Sequence, residues 1–207
     1  MGDDLSVVNA ARVSFAKESE WEYTGELLNS ELAEKDQKLI GYLAKHNHWT
    51  PFAHAFLSFR IKAPIFVARQ LVKHQVGLAW NETSRRYVDD EPEFYLPDVW
   101  RKRAENVKQG SSDEAVEDLP NIKHPLKLCL SLYEDLLAKG VAPEQARMVL
   151  PQNTMTEWIW SGSLAAFARV CKLRLDPHAQ KETQEIAEMI NERVPAGFVH
   201  SWEALLA

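Results

Sequence analysis

Ala55-Phe56-Leu57-Ser58-Phe59-Arg60-Ile61-Lys62-Ala63-Pro64-Ile65-Phe66-Val67-Ala68-Arg69-Gln70-Leu71-Val72-Lys73-His74-Gln75 is the stretch whose reading decides the fold. Ala55, Leu57, Phe59 and Ile61 alternate with Phe56, Ser58 and Arg60, which predicts a strand buried largely on both faces. Pro64 then opens a helix, because proline is tolerated at a first helical position. On that helix Gln70, Lys73 and His74 stand at i, i+3 and i+4, so they share a face. Ile65, Val67, Leu71 and Val72 cover its other faces. Just downstream comes Asn81-Glu82-Thr83-Ser84-Arg85-Arg86-Tyr87. Ser84 and Arg86 alternate in the β-rich run 83–88 and are expected on one face of a strand. Amides, a histidine, a carboxylate, hydroxyls and four cations fall within residues 69–87. That is equipment for gripping an anionic, hydrogen-bonding ligand.

Working upstream, residues 6–15 fit either a strand or a short helix. Leu32, Leu39, Ile40 and Leu43 recur at helical spacing, with Asn29 or Ser30 as cap, and the helix stops near His46-Asn47-His48. Downstream, residues 91–97 are punctuated by proline, and 101–120 is polar and is expected to be a mobile loop. Ile122, Leu126, Cys129, Leu130, Tyr133 and Leu137 form an amphipathic stripe ending at Gly140. Pro143 starts a short helix. Residues 154–160 are strand-like and 164–173 helical. Asp176-Pro177 is expected to cap a last long helix with Ile186 and Ile190 on its core face. Helices and strands come in mixed order without a βαβ repeat, so the expected class is α+β, in a single domain, rather than a doubly wound sheet.

A chain of 207 residues suits one ordinary domain. Its formal net charge of −6 argues against binding a nucleic-acid polymer, so the basic motif is a local pocket for a small anion. No apolar run is long enough to span a bilayer and the start lacks a signal-peptide pattern, which makes a cytoplasmic protein with no membrane partner the expectation. Two cysteines, Cys129 and Cys171, make neither a disulfide framework nor a zinc cluster.

His46, His48 and His54 invite a metal reading, but no carboxylate or thiol completes a shell. A cofactor contact or structural hydrogen bonding is expected instead, and no metal. Cys129, between Leu128 and Leu130, is expected in the core, and neither cysteine sits in a motif that would activate a thiol. Arg147 and Arg174 lie in apolar sequence, where a guanidinium needs an anion, either an acidic side chain or a ligand. Arg101-Lys102-Arg103 is read as a solvated face, and the tryptophans as core or subunit interface.

The chain resembles the flavin-dependent thymidylate synthases through Asn9-Ala10-Ala11-Arg12-Val13-Ser14-Phe15, His48-x-Thr50-Pro51-Phe52-x-His54, Lys62 to Gln70 and Asn81-Glu82-x-Ser84-x-Arg86-Tyr87. It does so again through Glu93-Phe94-Tyr95, Ala146-Arg147-x-Val149-Leu150-Pro151 and Leu173-Arg174-x-Asp176-x-His178-Ala179-Gln180. The resemblance implies a homotetramer with a twisted sheet beside a helical region and active sites between subunits. It implies methylation of dUMP to dTMP with carbon from methylene-tetrahydrofolate and hydride from FAD reduced by NADPH, without a cysteine nucleophile.

Position by position, Gln70 and Lys73 match substrate contacts. Ser84 and Arg86, flanked by Thr83 and Arg85, match the phosphate grip, which Arg147 joins from another subunit. Arg174 matches the catalytic arginine at the uracil. Glu82 matches a position shared by nucleotide and flavin. His48, Thr50, Lys73, His74, Gln75, Ser163 and Arg169 match the flavin side.

The chain also departs from the family pattern. Lys73-His74-Gln75 replaces an Arg-His-Arg signature, one extra residue precedes Asn81, and Ala79 replaces a serine. Ser163, Ala165 and Arg169 stand where many members have asparagine, arginine and asparagine. Arg169, with Arg69 or Arg85, is expected to make up the charge lost from the signature. Two rivals remain: a nucleotide-binding protein without turnover, favoured by the altered signature, and a metal-dependent nucleotide hydrolase built on the three histidines.

Overall fold

A computed structural model describes residues 1–23, 30–88, 90–105 and 110–207. The region left open as strand or helix is α1 (Asp4–Arg12), followed by a 3₁₀ turn at Val13–Phe15. Asp3 caps it, accepting from the Ser6 N–H at 2.8 Å while Ser6 Oγ reaches back to the Asp3 N–H. A two-stranded ribbon, β1 (Glu22–Tyr23) with β2 (Ser30–Glu31), precedes α2 (Glu34–Lys45). Ser30 therefore belongs to a strand and Ala33 is the N-cap of α2; Asn29, the other expected cap, lies outside the described residues.

The opening stretch forms β3 (Phe56–Pro64) and α3 (Ile65–Leu71), joined without a loop. Pro64 ends the strand and caps the helix rather than occupying its first turn. The strand buries one face, not both. Leu57, Ile61 and Ala63 are buried, whereas Ser58, Arg60 and Lys62 are exposed and Phe56 is 48% exposed. An antiparallel sheet with helices on one side needs apolar residues only at every second position.

After α3 comes β4 (Leu78–Glu82), so residues 83–88 are not the expected strand. Tyr87 N–H closes a turn onto Ser84 O at 2.9 Å. The expected loop at 101–120 contains a hairpin, β5 (Arg101–Arg103) paired with β6 (Ser111–Ala115); residues 106–109 of it lie outside the described residues.

The amphipathic stripe is α4 (Lys123–Ala138), ended by Gly140 at φ +81°. Of its side chains Tyr133 is buried, Cys129 is only half-buried, and Leu128 and Leu132 are exposed, so the expectation of a core cysteine there is corrected. A short α5 (Pro143–Ala146) and a 3₁₀ turn at Arg147–Val149 lead to β7 (Met155–Ser163) and α6 (Leu164–Arg174). α7 (Lys181–Glu192) begins at Gln180 as cap, later than expected, because Asp176 is used locally by the His178 N–H at 2.7 Å. The sequence reading missed α8 (Val199–Leu206). Asp4, buried at the start of α1, accepts its first N–H groups from His200 and Ser201 at 2.9 and 2.8 Å.

The core lies between the sheet β3-β7-β4, antiparallel throughout, and α6. Register pairs Ile61 with Trp158 and Phe59 with Trp160 on one side of β7, and Trp80 with Trp160 on the other. Trp80 stacks on Trp158 at 4.3 Å, and Phe167 of α6 meets Phe59 and Trp160 edge-on at 5.1 and 5.3 Å. Truncating a ring packed this way costs about 3–5 kcal/mol. This block anchors the ends of α3 and α6, from which the candidate site is built.

Candidate functional site

α3 stops at Leu71, so Lys73 and His74 lie in the turn beyond it rather than on its face as expected. The turn keeps them close nonetheless, with His74 N–H bonded to Leu71 O at 3.0 Å. Gly77, at φ +78°, lets the turn press on the start of α6; a Cβ there would lie 3.2 Å from Ala166 Cβ and 3.3 Å from Ser163 Oγ. From the other side Gly162 admits the Gly77 carbonyl, which would sit 2.3 Å from any Cβ. Arg169 Nη2 donates to Val76 O at 2.6 Å and braces the same turn.

Below the turn opens a cleft of about 640 Å³, where Gln70, Lys73 and Arg174 meet Arg101, Gln180 and Glu182. Arg174 Nε donates to His74 Nε2 at 3.1 Å, so that ring nitrogen carries a lone pair and the proton sits on Nδ1. Burial, then the positive charges of Arg174 and Arg169, lowers the His74 pKa and keeps the ring neutral. Burial likewise lowers the Arg174 pKa from its ordinary value. Because Arg174 Nε is directed to a neutral ring rather than a carboxylate, its charge remains available to an anion. Burial pushes Glu182 upward, but hydrogen bonds from Arg101 and Gln180 prevail and its pKa is lowered.

The other residues expected on the nucleotide side lie outside this cleft in the single chain. Glu82, at the end of β4, accepts from Thr156 Oγ1 at 2.7 Å and from Trp80 Nε1 at 3.1 Å. Thr83 N–H is bonded to Glu157 O at 2.8 Å. Ser84 and Arg86 meet within the turn instead of along a strand, Arg86 Nε donating to Ser84 Oγ at 3.3 Å. Arg85 donates to Asp90 O. Arg147, expected to point into apolar surroundings, is exposed, its Nε 3.4 Å from Glu144 O.

His48 and Thr50 line a second cleft of about 910 Å³, between α1, α2 and the segment 47–54. Its walls carry Arg12, Lys35 and Lys38, and the exposed rings of Phe15, Tyr42 and Trp49. His46 and His48 gather around Tyr42, with ring centroids 4.3 and 6.0 Å away. Arg12 is held by Asp36, which is fully buried and keeps one oxygen without a partner among the described residues. Gln75 is exposed in the turn after α3, and Ser163 accepts the Ala166 N–H at 3.2 Å as the cap of α6.

Sequence reasoning missed Arg101 and Glu182. Arg101, read as solvated, is partly buried and paired with Glu182 at 2.6 Å. Its position in a run of three cations concealed this, and Glu182 carries no local signal.

A small α+β unit with a cationic, amide-lined cleft at the ends of two helices is the class that these observations define. The chain belongs to the thymidylate synthase complementing protein family, whose model matches residues 1–196. It is 39% identical to a flavin-dependent thymidylate synthase of Thermosipho africanus, over 96% of this chain and 86% of that protein. It is also 39% identical to one of Thermus thermophilus, over 100% of this chain and 74% of that protein. Among solved structures it is similar to a UMP/dUMP methylase, PolB from Streptomyces cacaoi bound with 5-Br dUMP. There the TM-score is 0.80 and the identity 29%, over 98% of this chain and 90% of that one.

Proposed function

We propose that this protein reductively methylates dUMP to dTMP, with methylene-tetrahydrofolate as carbon donor and FAD reduced by NADPH as hydride donor. The observation that carries the reading is the convergence of Gln70, Lys73 and Arg174 in one cleft, in a chain of this family. A pyrimidine must become nucleophilic at C5 without a thiol here. Cys171 is buried with its thiol pushed up to about 12, and Cys129 lies on α4 away from the cleft. Arg174 therefore acts as the catalytic group, stabilising the negative charge that develops on the uracil. Neutral His74 orients its guanidinium through Nε.

The donor set fits FAD. Lys35, Lys38 and Lys73 offer charge for phosphates, and the rings of Phe15, Tyr42 and Trp49 offer surface for an aromatic system. His48 and Thr50 would hold it on one side. Lys73, His74, Gln75, Glu82, Ser163 and Arg169 would hold it on the other. When bound, FAD supplies the reducing equivalents that turn the transferred carbon into a methyl group. His48 and Thr50 line one cleft of the chain and Lys73 the other, while Glu82, Arg169, Ser84, Arg86 and Arg147 line neither. A homotetramer reconciles these placements by completing each site across subunits. The exposed Leu128 and Leu132 of α4 support that assembly.

The name of the Streptomyces structure favours a second reading in which UMP is also a substrate. Tritium release from 5-tritiated dUMP and, in parallel, 5-tritiated UMP, with FAD, NADPH and methylene-tetrahydrofolate present, tests both. Release from dUMP is expected; release from UMP alone would move the substrate, and release from neither would refute the proposed reaction.

A further inference from the structure

One run of hydrogen bonds along the wall of the Gln70 cleft has no role in the reaction just described. Arg101 Nη2 donates to Glu182 Oε1 at 2.6 Å, and Gln180 Nε2 donates to Glu182 Oε2 at 2.9 Å. Gln70 Nε2 in turn donates to Gln180 Oε1, and Thr183 Oγ1 donates to Gln70 Oε1 at 3.2 Å. Arg101 is itself set by Ser111, whose Oγ accepts from Nε at 2.7 Å across the β5–β6 hairpin.

A carboxamide can present either its oxygen or its nitrogen by turning half a revolution about its last torsion, and nothing in the amide itself decides which. An ionised carboxylate only accepts. With Glu182 ionised, Gln180 must turn its NH₂ toward it, which leaves its oxygen facing Gln70. Gln70 must then offer its own NH₂, and its oxygen is left for Thr183 and the cleft. Each amide in the series inherits its sense from the charge at the end.

We propose that the Arg101–Glu182 pair is a positioning element that fixes, through Gln180, which way the Gln70 amide faces the cleft. The fixed amide then distinguishes a uracil ring from a cytosine ring. This rests on the reading of the cleft as a pyrimidine nucleotide site. Along the edge that carries position 4, uracil offers an acceptor and then a donor; cytosine offers the reverse. A freely turning amide adapts to either edge. A locked one leaves two buried polar groups unpaired against the wrong base, which is the most discriminating situation a site can create. Arg101 belongs to the hairpin, so docking of β5 and β6 against α7 and the sense of Gln70 are set by the same ion pair.

The test measures calorimetric dissociation constants for dUMP and dCMP with wild type, Glu182→Gln, Arg101→Lys and Thr183→Val, each checked for a native thermal transition. The neutral, isosteric Glu182→Gln removes the obligatory acceptor, so either sense of the relay becomes available. The dUMP-over-dCMP preference should then fall by about tenfold or more, with dCMP binding gaining while dUMP binding weakens. Arg101→Lys keeps a cation beside Glu182 and should retain most of the preference, while Thr183→Val should lower it less than Glu182→Gln. A Glu182→Gln protein in which both nucleotides weaken by the same factor would mean that the pair merely holds the hairpin, and overturns the relay alone. Wild type that binds neither nucleotide overturns the reading of the cleft, and the relay with it.

Discussion

The Gln70 cleft and the cleft between α1 and α2 are ordered in opposite ways. In the first, side chains already hold one another, with Arg101, Glu182, Gln180 and Gln70 in series and Arg174 bonded to His74. In the second, Phe15, Tyr42 and Trp49 are 76, 54 and 56% exposed, and Lys35 and Lys38 beside them are exposed as well. Preorganised polar groups forfeit little order on binding and so favour discrimination. Exposed rings instead gain from being covered, largely regardless of what covers them. On the function proposed above, the first cleft would choose the base and the second would hold the aromatic cofactor.

The largest effect that would sharpen this contrast is expected at Arg174. Arg174→Ala should cut dTMP formation by about 10²–10³-fold while leaving bound FAD in place, as read by tritium release and flavin absorbance. Lysine should restore only part, lacking the planar fork. Near-normal turnover in the alanine variant would remove the first cleft from the chemistry.

Next in size is Arg169, which braces the turn after α3 at Val76 O. Arg169→Asn should weaken FAD binding by about one to two decades, and adding Gln75→Arg should recover part of it. FAD dissociation constants for the wild type, both single variants and the double would expose strict additivity, which argues against any compensation between the two positions.

A smaller effect is expected from pH. The His74 pKa is lowered in the folded chain, so between that value and the ordinary 6.5 the unfolded chain binds more protons. The stability tied to neutral His74 is fully present above 6.5 and is lost as pH falls through the folded value. Thermal midpoints measured from pH 8 to 5 should therefore fall more steeply for wild type than for His74→Gln below about 6.5. Parallel curves would mean that the Arg174–His74 bond does not depend on a neutral ring.

The least effect on either cleft should come from the cysteines. Cys129→Ala with Cys171→Ala should still methylate dUMP, at a packing cost of about 1–3 kcal/mol that falls mainly at buried Cys171. A folded, flavin-loaded double variant without activity would restore a thiol to the mechanism.

What was legible in the sequence was local. The strand–helix junction at Pro64, the stripes of α2 and α4, the class α+β, and the family motifs that bring Gln70, Lys73 and Arg174 to notice all depend on residues a few positions apart. The sequence also placed Lys73 and His74 near Gln70, although a tight turn rather than a helical face achieves it. It did not say that β3 buries one side only, because Phe56 and Phe59 look alike until the helices are seen to pack on a single face.

Only the tertiary structure paired Asp4 with the start of α8, 196 residues away, and Arg101 with Glu182, 81 residues away. Only the tertiary structure set His48 and Thr50 in one cleft and Gln70, Lys73 and Arg174 in another. Periodicity records the face a side chain shares with its neighbours along the chain. Which charge will meet that face depends on how distant segments pack, and a carboxylate such as Glu182 has no local pattern that reveals its partner.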